Sequence, residues 1–124
     1  MKYAFFVCLF FVACKAECSL GNAHEVNVAA DLNCEVKSGP QVVCTVKQTK
    51  GTDELEACWD FTATCANGAT LKAQRTCQKV KDGGEAISTT MSDKLTIAGE
   101  CDGSPTAKVE NFTINGKPAT FVSH

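Results

Sequence analysis

The sequence predicts an all-β fold: a small, disulfide-stabilised antiparallel β-sandwich of about seven or eight strands, with at most one short helix. Three observations predict it. Helical periodicity is scarce, while polar and apolar residues alternate over short runs. Turn signals such as Ser38-Gly39-Pro40, Asn67-Gly68 and Asn115-Gly116 recur at intervals suited to antiparallel strands. The chain also carries 9 cysteines in 124 residues, a density typical of a stapled extracellular domain.

The N-terminus sets the compartment. Lys2 is a positive n-region, Tyr3 to Ala13 is an apolar run, and Cys14-Lys15-Ala16 ends in a small residue. The run is shorter than the roughly 20 apolar residues that cross a bilayer. Residues 1–16 therefore read as a signal peptide and 17–124 as a single secreted β domain, extracellular and without a membrane span. Phe11-Val12-Ala13-Cys14 also admits a lipoprotein reading, with Cys14 as a lipid anchor. The formal net charge of −2 becomes more negative once Lys2 and Lys15 are removed. The remaining lysines are scattered, so no basic patch for nucleic acid is predicted.

The strands follow in order. Glu25 to Val36 alternates as one run, and Gln41 to Val46 resumes it after a three-residue loop at 38–40, which sets Cys34 opposite Cys44. Thr52-Asp53-Glu54-Leu55-Glu56-Ala57 has an N-cap and first-turn acids, and predicts a short connecting helix. Trp59 to Thr64 leads into Asn67-Gly68, and Leu71 to Val80 leads out. Asn-Gly suits a two-residue type I′ turn. Counting outward from such a turn places Cys58 opposite Cys77, at a wide hydrogen-bonded site, and Asp60 opposite Arg75. Ile87 to Met91 and Leu95 to Ile97 flank a break at Ser92-Asp93-Lys94. The last hairpin runs from Val109 to Ile114, turns at Asn115-Gly116 and returns through an edge strand holding Pro118.

Seven cysteines lie beyond residue 16. Register predicts the bridges Cys58–Cys77 and Cys34–Cys44. Cys65–Cys101 is favoured as the third, which leaves Cys18 free or bridging two chains as a disulfide-linked dimer. Cleavage after Cys18 would leave an even six instead. No Cys-x-x-Cys spacing exists, so neither a metal site nor a redox motif is predicted, and no cofactor is implied.

Candidate chemistry is sparse. His24 and His124 are the only histidines, His124 ends the chain, and no motif marks a nucleophile beside His24. Asp53, Glu54, Glu56 and Asp60 form an acidic cluster that lacks calcium-loop spacing and reads as a solvated face. Trp59 and Phe61 share one face, the core, with Thr62 and Thr64 facing the other way. Asn111-Phe112-Thr113 is an N-glycosylation sequon.

Two local patterns resemble known families. Cys44, Trp59 and Cys101 resemble the Cys…Trp…Cys frame of immunoglobulin-like sandwiches, with Gly99 where that frame has Tyr. That resemblance implies a Cys44–Cys101 bridge. Gln41-Val42-Val43 resembles the inhibitory hairpin of cystatins, but Cys44-Thr45 departs from it and no long N-terminal helix precedes it. Neither names a family. The expected function is a non-catalytic secreted module that presents loops to an extracellular protein or glycan. The alternatives are an inhibitor or toxin-like effector of a host enzyme or receptor, and a small extracellular hydrolase.

Overall fold

Two five-stranded antiparallel sheets pack face to face in the computed structural model, which describes residues 20–37, 40–101 and 105–122. The leader at 1–16, Cys14, Cys18, loop residues 38–39 and His124 lie outside the described residues. The first sheet has the order β10-β1-β2-β3-β6, from β1 (Gly21–Glu25), β2 (Val28–Lys37), β3 (Gln41–Lys50), β6 (Glu85–Thr90) and β10 (Thr120–Val122). The second has the order β7-β5-β4-β8-β9, from β4 (Leu55–Thr64), β5 (Thr70–Val80), β7 (Leu95–Ala98), β8 (Thr106–Ile114) and β9 (Lys117–Pro118). The segments outnumber the predicted strands for two reasons. The run from Glu25 to Val36 is not one strand: Glu25 pairs with Val28, so a hairpin turns at Val26-Asn27. The last run changes sheet after Pro118, pairing first with β8 and then with β1.

Side-chain parity explains the layers. Ala23 before that turn and Val28, Ala30, Leu32, Cys34 and Val36 after it all point inward, because a two-residue turn carries odd positions onto the face of even ones. Leu55, Ala57, Trp59, Phe61 and Ala63 form the facing stripe of β4. Trp59 is fully buried and packs against Phe112 on β8, ring centroids 6.3 Å apart and tilted by 60°.

The helix expected over Thr52 to Ala57 does not form. Leu55 begins β4, and the only helical turn among the described residues is a 3₁₀ turn at Ser92–Lys94. The period-2 stripe starting at Leu55 buries far more apolar surface than a short capped helix would, and tertiary burial outweighs local propensity. The residues before it form a tight crossover. Gly51 has φ +79°, and a Cβ there would collide with the Asn27 carbonyl oxygen. Gln48, 3% exposed on the inner side of β3, fastens this crossover. Its Nε2 donates to the Asp53 carbonyl at 2.9 Å, and its Oε1 accepts from Gly83 N at 2.9 Å.

Three bridges staple the sandwich: Cys34–Cys44, Cys58–Cys77 and Cys65–Cys101. The first two are the pairs that register predicts, and the third is the one favoured among the remaining cysteines. They exclude a Cys44–Cys101 bridge, and with it the cysteine frame of the immunoglobulin-like resemblance.

Candidate functional site

The outer face of the second sheet carries a connected polar network around Asp60. It is built by irregularity. Beside β4, the ladder to β5 steps from Trp59↔Thr76 to Phe61↔Ala73, and the ladder to β8 steps from Cys58↔Thr113 to Asp60↔Glu110. β5 therefore inserts one extra residue opposite Asp60, and β8 inserts one opposite the adjacent Trp59. Such bulges re-aim side chains. In β8 the bulge holds Asn111 at φ +54°, a conformation Asn tolerates better than most residues.

The re-aimed groups converge. Arg75 Nη1 lies 3.4 Å from Asp60 Oδ1. Asn111 Nδ2 donates to Asp60 Oδ2 at 2.8 Å. Arg75 Nη1 donates to the Asn111 carbonyl at 2.9 Å, and its Nη2 donates to Thr113 Oγ1 at 3.1 Å. The Arg75 and Asp60 side chains remain 40% and 32% exposed, so the network faces solvent while its geometry is fixed by three strands. It presents a guanidinium, a carboxylate and an amide side by side, a set suited to binding polar groups by paired hydrogen bonds.

Beside it stands the Cys58–Cys77 bridge, on the same outward parity as Asp60. Its Cα atoms are 4.1 Å apart. That is the separation of a narrow, non-hydrogen-bonded pair, not the wide site that a two-residue turn would impose. The reason lies at the hairpin tip. Cys65 N donates to Ala69 O and Gly68 N to Cys65 O, so the loop is three residues long. Only Gly68 of the Asn-Gly pair has positive φ. The bulge in β5 then restores the alignment of Cys58 with Cys77.

The other expected residues fall elsewhere. His24 is exposed in the first sheet, opposite Ala29 and Thr120, and so on the other sheet from Asp60. The acidic cluster divides: Asp53 and Glu54 are exposed in the crossover, whereas Glu56 and Asp60 lie on β4. Trp59 and Phe61 are core residues, 0% and 1% exposed, while Thr64 is exposed and Thr62 half-buried on the opposite face. A narrow apolar depression, lined by Val36, Pro40, Leu71, Ile97 and Pro105, sits beside the Cys65–Cys101 bridge. Register alone sets Asp60 opposite Arg75, and the ion pair forms, but Asn111 is singled out separately as a sequon. The meeting of all three needed the adjacency of β4 and β8, which no local signal reports.

No protein-family model, curated protein or solved structure matches this chain. No described helix is long and apolar enough to cross a membrane.

Proposed function

We propose that the chain is a secreted, non-catalytic binding module that uses the outer face of its second sheet to hold a polar extracellular partner, a protein or a glycan. The observation that supports this most is the Asp60–Arg75–Asn111–Thr113 network, fixed by two bulges and open to solvent. Bulges and outward-facing hydrogen-bonding groups on a rigid frame are features of recognition surfaces. Three intrachain disulfides are compatible with an oxidising extracellular compartment. The signal-peptide reading of residues 1–16 points the same way and predicts a mature chain beginning at Glu17, which intact mass reads directly.

The same mass reports on Asn111. A glycan there would hang from the Nδ2 that bonds Asp60 and would cover the network, so the proposed face requires chains whose Asn111 is bare. Cys18 has no partner left among the six bridged cysteines, and a non-reducing gel reads whether it joins two copies. The decisive experiment is capture from native extracellular fluid and from a glycan array, using the parent chain and an Asp60→Ala/Arg75→Ala variant. The expected result is a partner held by the parent and lost by the variant, with unchanged disulfide map and circular dichroism. Equal capture by both would refute the proposed face.

A further inference from the structure

Access to attacking thiols separates the three bridges. Cys77 is exposed on the outer face, with Cys58 at 8%. Cys34 and Cys44 are 1% and 4% exposed within the core, and Cys65 is 7% exposed with Cys101 half-buried. Thiol–disulfide exchange requires a thiolate to reach a sulfur, so Cys77 is the first point of attack. Glu56 lies two residues before Cys58 on the same face. One ligand atom from each of Glu56, Cys58 and Cys77 lies within 4.8 Å of the other two. The Glu56 backbone is held on both sides: its N–H donates to Asn115 Oδ1 at 3.0 Å, and its carbonyl accepts from Asn115 N at 2.9 Å.

We infer that Glu56, Cys58 and Cys77 form a latent site for a thiophilic divalent cation of the zinc class, opened by reduction of the bridge between the two cysteines. The reductant is a dithiol. Its thiolate attacks Cys77 Sγ, the S–S bond breaks, and Cys58 leaves as a thiolate that takes up a proton. The second thiol of the reductant then displaces Cys77, which is protonated in turn. Two electrons and two protons pass to the protein, and the dithiol ends as a cyclic disulfide. The cation displaces both thiol protons and binds two sulfurs and one carboxylate oxygen, with water in the fourth position.

The geometry accommodates this. Two sulfurs in a tetrahedral zinc site lie about 3.8 Å apart, given Zn–S bonds of about 2.3 Å. Cysteines joined by a disulfide have Cβ atoms about 3.5–4.5 Å apart, so rotation about χ1 after the bond opens reaches that sulfur spacing. Two thiolates and a carboxylate are a favourable donor set for zinc. Lys79 stands opposite Glu56 in the ladder and is exposed, so its ammonium can turn into solvent and leave the carboxylate to the cation. The absence of Cys-x-x-Cys spacing does not bear on this set, because its two sulfurs come from neighbouring strands.

The test uses cobalt(II) as the probe. The chain is treated with limiting dithiol, peptide mapping verifies that only Cys58–Cys77 has opened, and the reductant is removed without air. The expected result is a thiolate-to-cobalt absorption band that saturates at one cobalt per chain, is displaced by zinc, and is missing from the oxidised chain. Glu56→Gln should weaken cobalt binding by about tenfold or more. Cys58→Ser/Cys77→Ser should abolish the band. Three results would overturn the proposal: no saturable band, equal binding by Glu56→Gln, or loss of the β-sheet circular dichroism once this bridge opens.

Discussion

Cys34–Cys44 and Cys58–Cys77 are both cross-strand bridges between adjacent antiparallel strands, with Cα separations of 4.0 and 4.1 Å. They differ in the face they occupy. The first points inward from β2 and β3 and is part of the core. The second points outward from β4 and β5, beside Glu56 and Asp60. Face is set by parity along the strand, so one residue of register decides whether a disulfide is packing material or a chemical group on the surface. The same bond thus carries two different roles in one domain.

The largest expected effect comes from placing hydroxyls at each bridge. Closing loops of sequence separation 10 and 19 contributes about 3 kcal/mol in each case on chain-entropy grounds. Cys58→Ser/Cys77→Ser should lose less than the inner pair, since Cys77 is exposed and only the hydroxyl at position 58 would be buried. Cys34→Ser/Cys44→Ser should lose about 5 kcal/mol or more, because each buried hydroxyl without a partner adds about 1–3 kcal/mol. Urea unfolding of both variants measures this; equal losses would break the comparison. A second pair sharpens it at smaller amplitude. Val46→Thr, in the fully buried row beside Cys44, should cost about 1–3 kcal/mol. Thr62→Val, on the outer face of β4, should stay within about 0.5 kcal/mol. The smallest effect is expected from Asp60→Ala, whose part-exposed ion pair is screened by solvent: less than about 1 kcal/mol by thermal melting. A large loss there would show that the outer network supports the fold and is not only displayed by it.

How much of this was legible in the sequence depends on whether a feature is local. The apolar stripe from Leu55 to Ala63 and the alternation through Val28 to Val36 identify the two layers directly. The Asn115-Gly116 turn has both residues at positive φ, 55° and 78°, as a type I′ turn requires. Asn67-Gly68 has the same letters and a different turn. There Asn67 Nδ2 donates to the Glu100 carbonyl at 2.7 Å and its Oδ1 accepts from Ala69 N at 3.2 Å, contacts that a dipeptide signal cannot contain. The expected Cys58–Cys77 pairing is nevertheless met, because the longer loop and the bulge in β5 offset one another. The segment from Thr52 to Ala57 reads as a helix because capping residues are a local signal, whereas burial of Leu55 and Ala57 in β4 depends on the facing sheet. Of the Asp60 network the Arg75 pairing follows from hairpin register, whereas Asn111 and Thr113 do not, because β8 reaches β4 only through the assembled sheet.

Face, not sequence separation or bond type, is what should set the behaviour of the two cross-strand bridges. Titrating the folded chain with limiting dithiol, trapping free thiols by alkylation and mapping the peptides tests it most directly. The prediction is that Cys58 and Cys77 are alkylated first, while Cys34–Cys44 stays closed and the circular dichroism stays native. Opening of Cys34–Cys44 before Cys58–Cys77, or in step with it, would contradict the claim.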